Sequence, residues 1–282
     1  MLGFLERLVQ ERVLARVGAT VRPNTAGASM LAAMRVPPDR VDEVAAVINR
    51  EPTVNHNYER EHEINLWFVL TGASQAALAA SLARIRTATG RDVLELPLER
   101  AYFIDLGFGL TGGASRRIQG TLRAEADHVS GTTAAIDDSD RRLLAILTDG
   151  LPLTSRPYAE LAARLGLTEG DARERIGSLL ANGIITRLGL IVRHRSLGFR
   201  ANAMAVWDVP DDDVERVGQL FAAQPFVTLC YRRPRRLPDW PYNLFCMVHG
   251  LARDSVAAQV SSLTRLGGLE RHDHAMLFSR RC

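Results

Sequence analysis

The sequence predicts an α+β protein built from one module used twice. Three observations carry this. Arg16-Val17-Gly18, Val21-Arg22 and Gly27 return as Arg187-Leu188-Gly189, Val192-Arg193 and Gly198, at a constant offset of about 171 residues that chance does not sustain. After each stretch the apolar periodicity reads strand, helix, strand, strand, helix, strand. In each copy the second strand runs into a polar cluster, His56-Asn57-Tyr58-Glu59-Arg60-Glu61-His62 in the first and Cys230-Tyr231-Arg232-Arg233-Pro234-Arg235-Arg236 in the second. Each cluster closes on a matched signal, Asn65-Leu66-Trp67-Phe68 against Asn243-Leu244-Phe245-Cys246.

In the first copy residues 28–36 read as a strand, and Pro37-Pro38-Asp39 starts a helix with Val41, Val44, Ala45 and Ile48 at helical spacing. Val54 to Arg60 and Asn65 to Leu70 are the next strands. Gly72-Ala73-Ser74 caps a helix that carries Leu78, Leu82 and Ile85 and stops at Gly90, and Val93 to Asp105 is the last strand. The second copy repeats the order over 202–209, 214–223, 227–233, 242–249, 254–266 and 270–279. Such a β-α-β-β-α-β order predicts a four-stranded antiparallel sheet with both helices on one face and the other face left for a partner or ligand.

Residues 136–200 read differently. Asp137-Asp138-Ser139-Asp140 opens a helix, Tyr158 to Leu165 forms a second that ends at Gly166, and Asp171 to Ala181 forms a third before Asn182-Gly183. With a strand pair over Ile184–Arg193, this is a winged helix-turn-helix. The first copy holds only its last helix and wing, because Leu5, Leu8, Val9, Val13 and Leu14 stand where Ile176, Leu179, Leu180, Ile184 and Ile185 stand in the second. The expected segments are therefore 1–27 (remnant helix and wing), 28–110 (first sandwich), 111–135 (a Gly-, Ser-, Thr- and Ala-rich connector), 136–200 (winged helix-turn-helix) and 201–282 (second sandwich).

Composition narrows the classes. A chain of 282 residues, 46% hydrophobic and 24% charged, suits two domains that each bury a core, and no apolar run approaches the ~18 residues of a membrane span. Met1 to Arg12 mixes Glu6, Arg7, Glu11 and Arg12 among leucines, an amphipathic helix and not a secretion signal, so the cytoplasm is the default location. Cys230, Cys246 and Cys282 are odd in number and widely spaced, which supports neither a disulfide framework nor a thiolate metal site. Net charge is only +3, so clustering of arginine matters more than its total.

A helix that reads DNA must neutralise phosphates and present base-reading side chains. The candidate helix and its entry turn set Glu169, Asp171 and Glu174 against Arg173 and Arg175, so DNA is an unlikely partner and the unit reads as a retained structural element that helps dimerise. Chemistry belongs elsewhere. Arg187, Arg193, Arg195 and Arg200 come with no acid between them, and Arg232, Arg233, Arg235 and Arg236 face only Asp239 in sequence. Guanidinium groups beside Tyr231, Trp240 and Tyr242 suit a flat ligand with many carboxylates, against the plain alternative of a solvated basic loop.

In the first copy His56, Tyr58, Arg60 and His62 alternate, which on one strand places all four on one face. Histidine exchanges a proton near neutral pH while Tyr or Arg holds an anionic substrate. Glu59, Glu61 and Glu63 take the opposite face, so a solvated strand end is the competing reading. The two histidines have no evident third ligand nearby, and no metal site is expected. His194, His249, His272 and His274 read as ordinary polar residues.

This combination resembles the siroheme decarboxylase family, in the fused two-subunit form associated with d1-type haem formation in denitrifying bacteria. That family is built on the Lrp/AsnC-type plan of winged helix plus ferredoxin-like α/β sandwich. The resemblance rests on residues 21–28, 56–62 with 65–68, 229–245 and the closing Phe278-Ser279-Arg280-Arg281-Cys282. It implies removal of CO2 from the C12 and C18 acetate side chains of siroheme, with no cofactor beyond the substrate's own iron. On this reading His56 and His62 are proton donors, Tyr58, Arg60, Tyr231, Arg232 and Arg233 anchor the substrate, and Arg193 and Arg235 are second-rank contacts. A histidine as axial iron ligand stays open beside proton donation. Implied partners are siroheme and a homodimer or further siroheme decarboxylase subunits, with no membrane. The rivals are an Lrp/AsnC-type transcriptional regulator that binds DNA and a small effector, and a tetrapyrrole carrier without turnover.

Overall fold

The structure, a computed structural model, describes residues 2–104, 136–192 and 201–281. In the first copy the elements are α1 (Leu2–Gln10), β1 (Leu14–Val21), β2 (Ala28–Met34), a 3-10 turn (Pro38–Arg40), α2 (Val41–Ile48), β3 (Val54–Arg60), β4 (Leu66–Gly72), α3 (Gln75–Thr89), β5 (Leu94–Pro97) and β6 (Arg100–Ile104). The second copy holds α4 (Asp138–Asp149), α5 (Pro157–Leu165), α6 (Glu169–Ala181), β7 (Ile185–Val192), β8 (Ala201–Trp207), α7 (Val214–Ala222), β9 (Val227–Arg232), β10 (Leu244–Gly250), α8 (Arg253–Gly267) and β11 (His274–Arg281). They form two compact units, each drawn from both copies: 1–26 with 120–198, and 27–119 with 199–282. The connector 111–135, Arg193 to Arg200 and Cys282 lie outside the described residues.

The first unit is the winged helix. Asp137 and Asp140 close a capping box on α4, Thr168 and Asp171 close another on α6, and Gly166 ends α5 in the left-handed region at φ 69°. The helices bury Leu143, Leu144, Leu147, Leu161, Ile176 and Leu179 in one core with Ile184 and Ile185. The wing departs from the sequence expectation. The segment Ile184–Arg193 does not fold into its own strand pair; β7 pairs antiparallel with β1 of the other copy, Gly18 opposite Gly189. Duplication explains this, since each single strand finds the partner that its twin supplies. Gly18 is needed there because a Cβ would meet the Leu147 carbonyl oxygen at 2.4 Å.

The second unit joins both sandwiches into one nine-stranded sheet, ordered β5-β2-β4-β3-β11-β8-β10-β9-β6. Each module supplies four neighbouring strands, and β3 meets β11 at the seam, Arg60 opposite Ser279. The segment expected as one last strand over Val93–Asp105 divides. Its first part, β5, pairs with β2 of its own module, while β6 crosses to pair with β9 of the other. Alternation along the strands then serves two faces. Met30, Ala32, Met34, Leu66, Phe68 and Leu70 pack under α2 and α3, and Ala203, Ala205, Trp207, Leu244, Cys246 and Val248 pack under α7 and α8.

The opposite faces are not left open as the sequence reading expected. Ala33, Ile64, Trp67 and Leu96 from the first module pack with Met204, Val206, Trp240, Phe245 and Leu277 from the second. All seven residues of β8 are buried for this reason. Each large side chain taken from water there contributes roughly 1.5–3 kcal/mol. The amphipathic alternation that by sequence alone offers a free face to a ligand instead supplies the layer that holds the two modules together.

Candidate active site

Both modules build the same local frame. Asn65 accepts from the Val36 amide and donates to the Val36 carbonyl, each at 2.9 Å, and Asn243 makes the same pair of bonds to Val209, each at 2.9 Å. The Asn65 carbonyl also accepts from the Arg60 amide at 2.7 Å, and that of Asn243 from the Arg233 amide at 3.0 Å. These bonds set where β3 and β9 end. They place Tyr58 and Arg60 in register with Tyr231 and Arg233.

Each arginine then crosses the inner layer. Arg60 is buried, its Nη1 donating to the Leu277 carbonyl at 3.2 Å and to Ser279 Oγ at 3.1 Å, with Nη2 3.9 Å from Met247 Sδ. Its guanidinium carbon lies 5.4 Å from the centre of the Tyr58 ring. Arg233 donates to the Leu96 carbonyl at 2.5 Å and lies 5.1 Å from the Tyr231 ring and 6.0 Å from that of Phe245. Its Nε is buried with no hydrogen-bond partner among the described residues. Burial pushes its pKa down to about 10, which still leaves a full cation at neutral pH, and burial pushes the Tyr231 hydroxyl up.

His56, Tyr58 and Arg60 share one face of β3, as the alternation predicts, with the rings of His56 and Tyr58 6.1 Å apart. Asn57 takes the other face and donates toward α2, to the Ala45 carbonyl and Asn49 Oδ1. His56 is exposed and stands opposite Val69 in the ladder, where the second module sets Leu229 opposite Met247. The histidine therefore has no counterpart in the second niche.

His62 departs from the sequence expectation. It lies past the end of β3 in a turn and not on the strand face with the other three. The strand stops because the Arg60 amide closes the turn on Asn65. There His62 Nδ1 accepts from the Ile64 amide at 3.0 Å, and the ring stands edge-on to Trp240 at 5.5 Å and 76°. Burial pushes its pKa below the usual histidine value and outweighs Glu63 and the backbone hydrogen bond at Ile64, which act the other way, while Arg35 adds to the lowering. Trp240 is the hub of the layer, with Trp67 and Tyr242 each at 4.9 Å and Phe245 at 6.0 Å.

The basic loop is not the free cationic run that its sequence suggests. Acids distant in the chain meet it. Arg232 Nε lies 3.0 Å from Glu99, and Arg235 bonds Asp208 at 2.8 Å, Asp211 at 2.7 Å and the Val209 carbonyl at 2.5 Å. Arg236 donates to the Glu95 carbonyl at 2.8 Å, whereas Asp239, the one acid nearby in sequence, is exposed. Sequence reasoning missed these acids and also Trp67, Met247 and Ser279, because nothing in local periodicity marks a contact across modules. The one available signal was the repeated Asn65 and Asn243, which reveals equivalent positions. Among the described residues no group of three or more His, Cys, Asp or Glu side chains is placed to hold a metal ion. No helix among them is long and apolar enough to cross a membrane.

The doubled sandwich and its winged helix define an AsnC-like ligand-binding protein: residues 26–102 and 196–282 match the AsnC-like ligand binding domain, and residues 140–185 match the siroheme decarboxylase NirDL-like HTH domain. The chain is similar over its whole length to the siroheme decarboxylase NirDL subunit of Paracoccus denitrificans, 47% identical over 283 residues that cover 100% of this chain and 84% of the relative. It is 30% identical over 284 residues to the siroheme decarboxylase of Hydrogenobacter thermophilus, covering 100% of this chain and 82% of that one. The chain belongs to the siroheme decarboxylase family. Its fold is also similar to the crystal structure of the siroheme decarboxylase NirDL in co-complex with an iron-uroporphyrin III analogue, with a TM-score of 0.69 and 28% identity over 99% of this chain and 80% of that chain.

Proposed function

We propose that this protein removes CO2 from the C12 and C18 acetate side chains of siroheme to give 12,18-didecarboxysiroheme. The observation that carries the reading is the 47% identity to a NirDL subunit along the entire chain. The chemistry of the site agrees. Each cycle breaks one carbon–carbon bond, releases CO2 and leaves a carbanion that takes one proton to become a methyl group, so electrons balance with no oxidant or reductant. Siroheme brings its own iron as part of the substrate, and no further cofactor or metal enters the reading.

Arg60, Arg232 and Arg233, with Tyr58 and Tyr231, are assigned to the carboxylates that do not react. Arg193 and Arg235 are assigned weaker roles, Arg193 lying outside the described residues. A guanidinium held against an aromatic face and away from bulk water binds a carboxylate more strongly than a solvated one. Holding the other carboxylates while the reacting one loses its water lowers the barrier. His56 and His62 are the two candidates for supplying the proton of the new C–H bond, a step where a positioned acid contributes roughly 10²–10⁴-fold.

Association as a homodimer or with further siroheme decarboxylase subunits belongs to the same reading. So does a cytoplasmic setting, which suits Cys230 and Cys246 standing as thiols 3.4 Å apart. A DNA-binding role lacks the charge it needs. Residues 136–192 carry eight acids against seven arginines, and Arg175 is held by Asp137 and Asp140 while Arg156 is held by Glu169. A DNA-bound winged helix keeps such arginines for phosphates.

Anaerobic incubation with siroheme followed by mass measurement tests the reading. Loss of two CO2 per tetrapyrrole is expected, slowed at least roughly 100-fold in His56→Ala. Tight binding with siroheme returned unchanged would replace the decarboxylase with a carrier.

A further inference from the structure

We propose that His62 works as a neutral, orientation-locked hydrogen-bond donor through Nε2–H to a substrate carboxylate, and that delivery of the proton falls to His56. The inference rests on the decarboxylase reading and assigns different roles to its two histidines. The Ile64 amide donates to His62 Nδ1 at 3.0 Å. That bond needs the lone pair that only an unprotonated Nδ1 offers, so the ring proton sits on Nε2.

The donor amide is itself held. The Ile64 carbonyl accepts the Trp67 indole N–H at 2.7 Å, Ile64 is buried, and the next residue, Asn65, is clamped to Val36 by two bonds of 2.9 Å. Forming an imidazolium would set two N–H groups against each other across a turn that cannot swing aside. The edge-on contact with Trp240 fixes the ring plane from the other side. Charged groups around the ring do not reverse this. Glu63 is paired with Arg35 at 3.2 Å, and burial, helped by Asp273 and Asp208, pushes up the pKa of Tyr242, which stands against Trp240, so its hydroxyl stays neutral.

Among the described residues Nε2 has no protein partner, and the half-buried ring keeps a route to solvent. A fixed N–H aimed at a carboxylate is a charge-assisted bond, which suits holding the substrate and not protonating it.

The tautomer is tested first, on the full ligand-free chain, by nitrogen-15 NMR of the histidine rings across pH. His62 should show as the Nε2–H form and stay neutral below the ordinary histidine range; an Nδ1–H form, or titration at or above that range, overturns the proposal without needing turnover. In a preparation shown to decarboxylate siroheme, His62→Ala should weaken siroheme binding roughly 10- to 100-fold. His62→Gln, whose amide nitrogen stands near the place of Nε2, should recover most of that loss and keep the wild-type inflection in the pH dependence of turnover. A His62→Gln protein that binds siroheme normally but has lost turnover would make His62 the acid and sink the division of roles. Wild-type protein that leaves siroheme intact would instead sink the decarboxylase reading, and the NMR result would stand apart from it.

Discussion

Arg60 donates to the carbonyl of Leu277 on β11, and Arg233 donates to the carbonyl of Leu96 on β5, so each arginine ends on a strand of the module it does not belong to. The two contacts are equivalent through the duplication, and both run through the inner layer. A cation in that layer has two uses. It ties the modules together, and on the proposed function its poorly solvated charge serves an anionic substrate.

Arg233→Met separates these uses. Relieving a buried cation whose pKa burial presses down to about 10 returns roughly 3 kcal/mol, while the Leu96 carbonyl left without its donor costs about 1–3 kcal/mol. Stability in urea should therefore hold level or rise by up to about 2 kcal/mol, and siroheme binding should weaken at least about tenfold. A loss above about 3 kcal/mol would mark Arg233 as a structural tie.

Trp67 and Trp240 touch each other but differ in one bond. Trp67 donates to the Ile64 carbonyl at 2.7 Å, and Trp240 Nε1 is buried with no partner among the described residues. Phe at either position removes similar volume. Trp67→Phe should cost about 1–3 kcal/mol more than Trp240→Phe in denaturant unfolding, because only the first strands a buried carbonyl. Equal losses would show that volume alone governs the layer.

Asp211 holds Arg235 at 2.7 Å, and that hydrogen bond keeps its carboxyl below the ordinary 3.8. A carboxyl lowered in the folded state contributes stability above its unfolded pKa and loses it as pH falls through the folded value. The carboxylate is largely exposed, so the contribution is at most about 1 kcal/mol. Asp211→Asn should be less stable than wild type by that amount at pH 7, and the difference should vanish in acid below the ordinary aspartate range. A gap that persists in acid would assign the effect to the hydrogen bond that Asn243 donates to Asp211 at 3.4 Å and not to charge.

Local signals carried much of the architecture. Ser74 accepts from the Ala77 amide and Gly90 ends α3 at φ 63°, as the capping sequence predicts, and the strands of the second sandwich fall close to their apolar runs. The shared face of His56, Tyr58 and Arg60 follows from a period of two. His62 escapes that period because an amide-to-carbonyl bond between Arg60 and Asn65 ends the strand, and periodicity says nothing about where a strand stops.

By itself the sequence determined the duplication, the order of elements, the winged helix and the strand face that His56, Tyr58 and Arg60 share, because these depend on neighbours within a few positions. Tertiary structure alone decided that β1 pairs with β7, that β6 crosses to β9, that Trp240 sits against His62, and that Asp208, Asp211 and Glu99 meet the basic loop. Two copies of one pattern offer every strand edge and every apolar face two possible partners, and only burial of both faces at once selects between them.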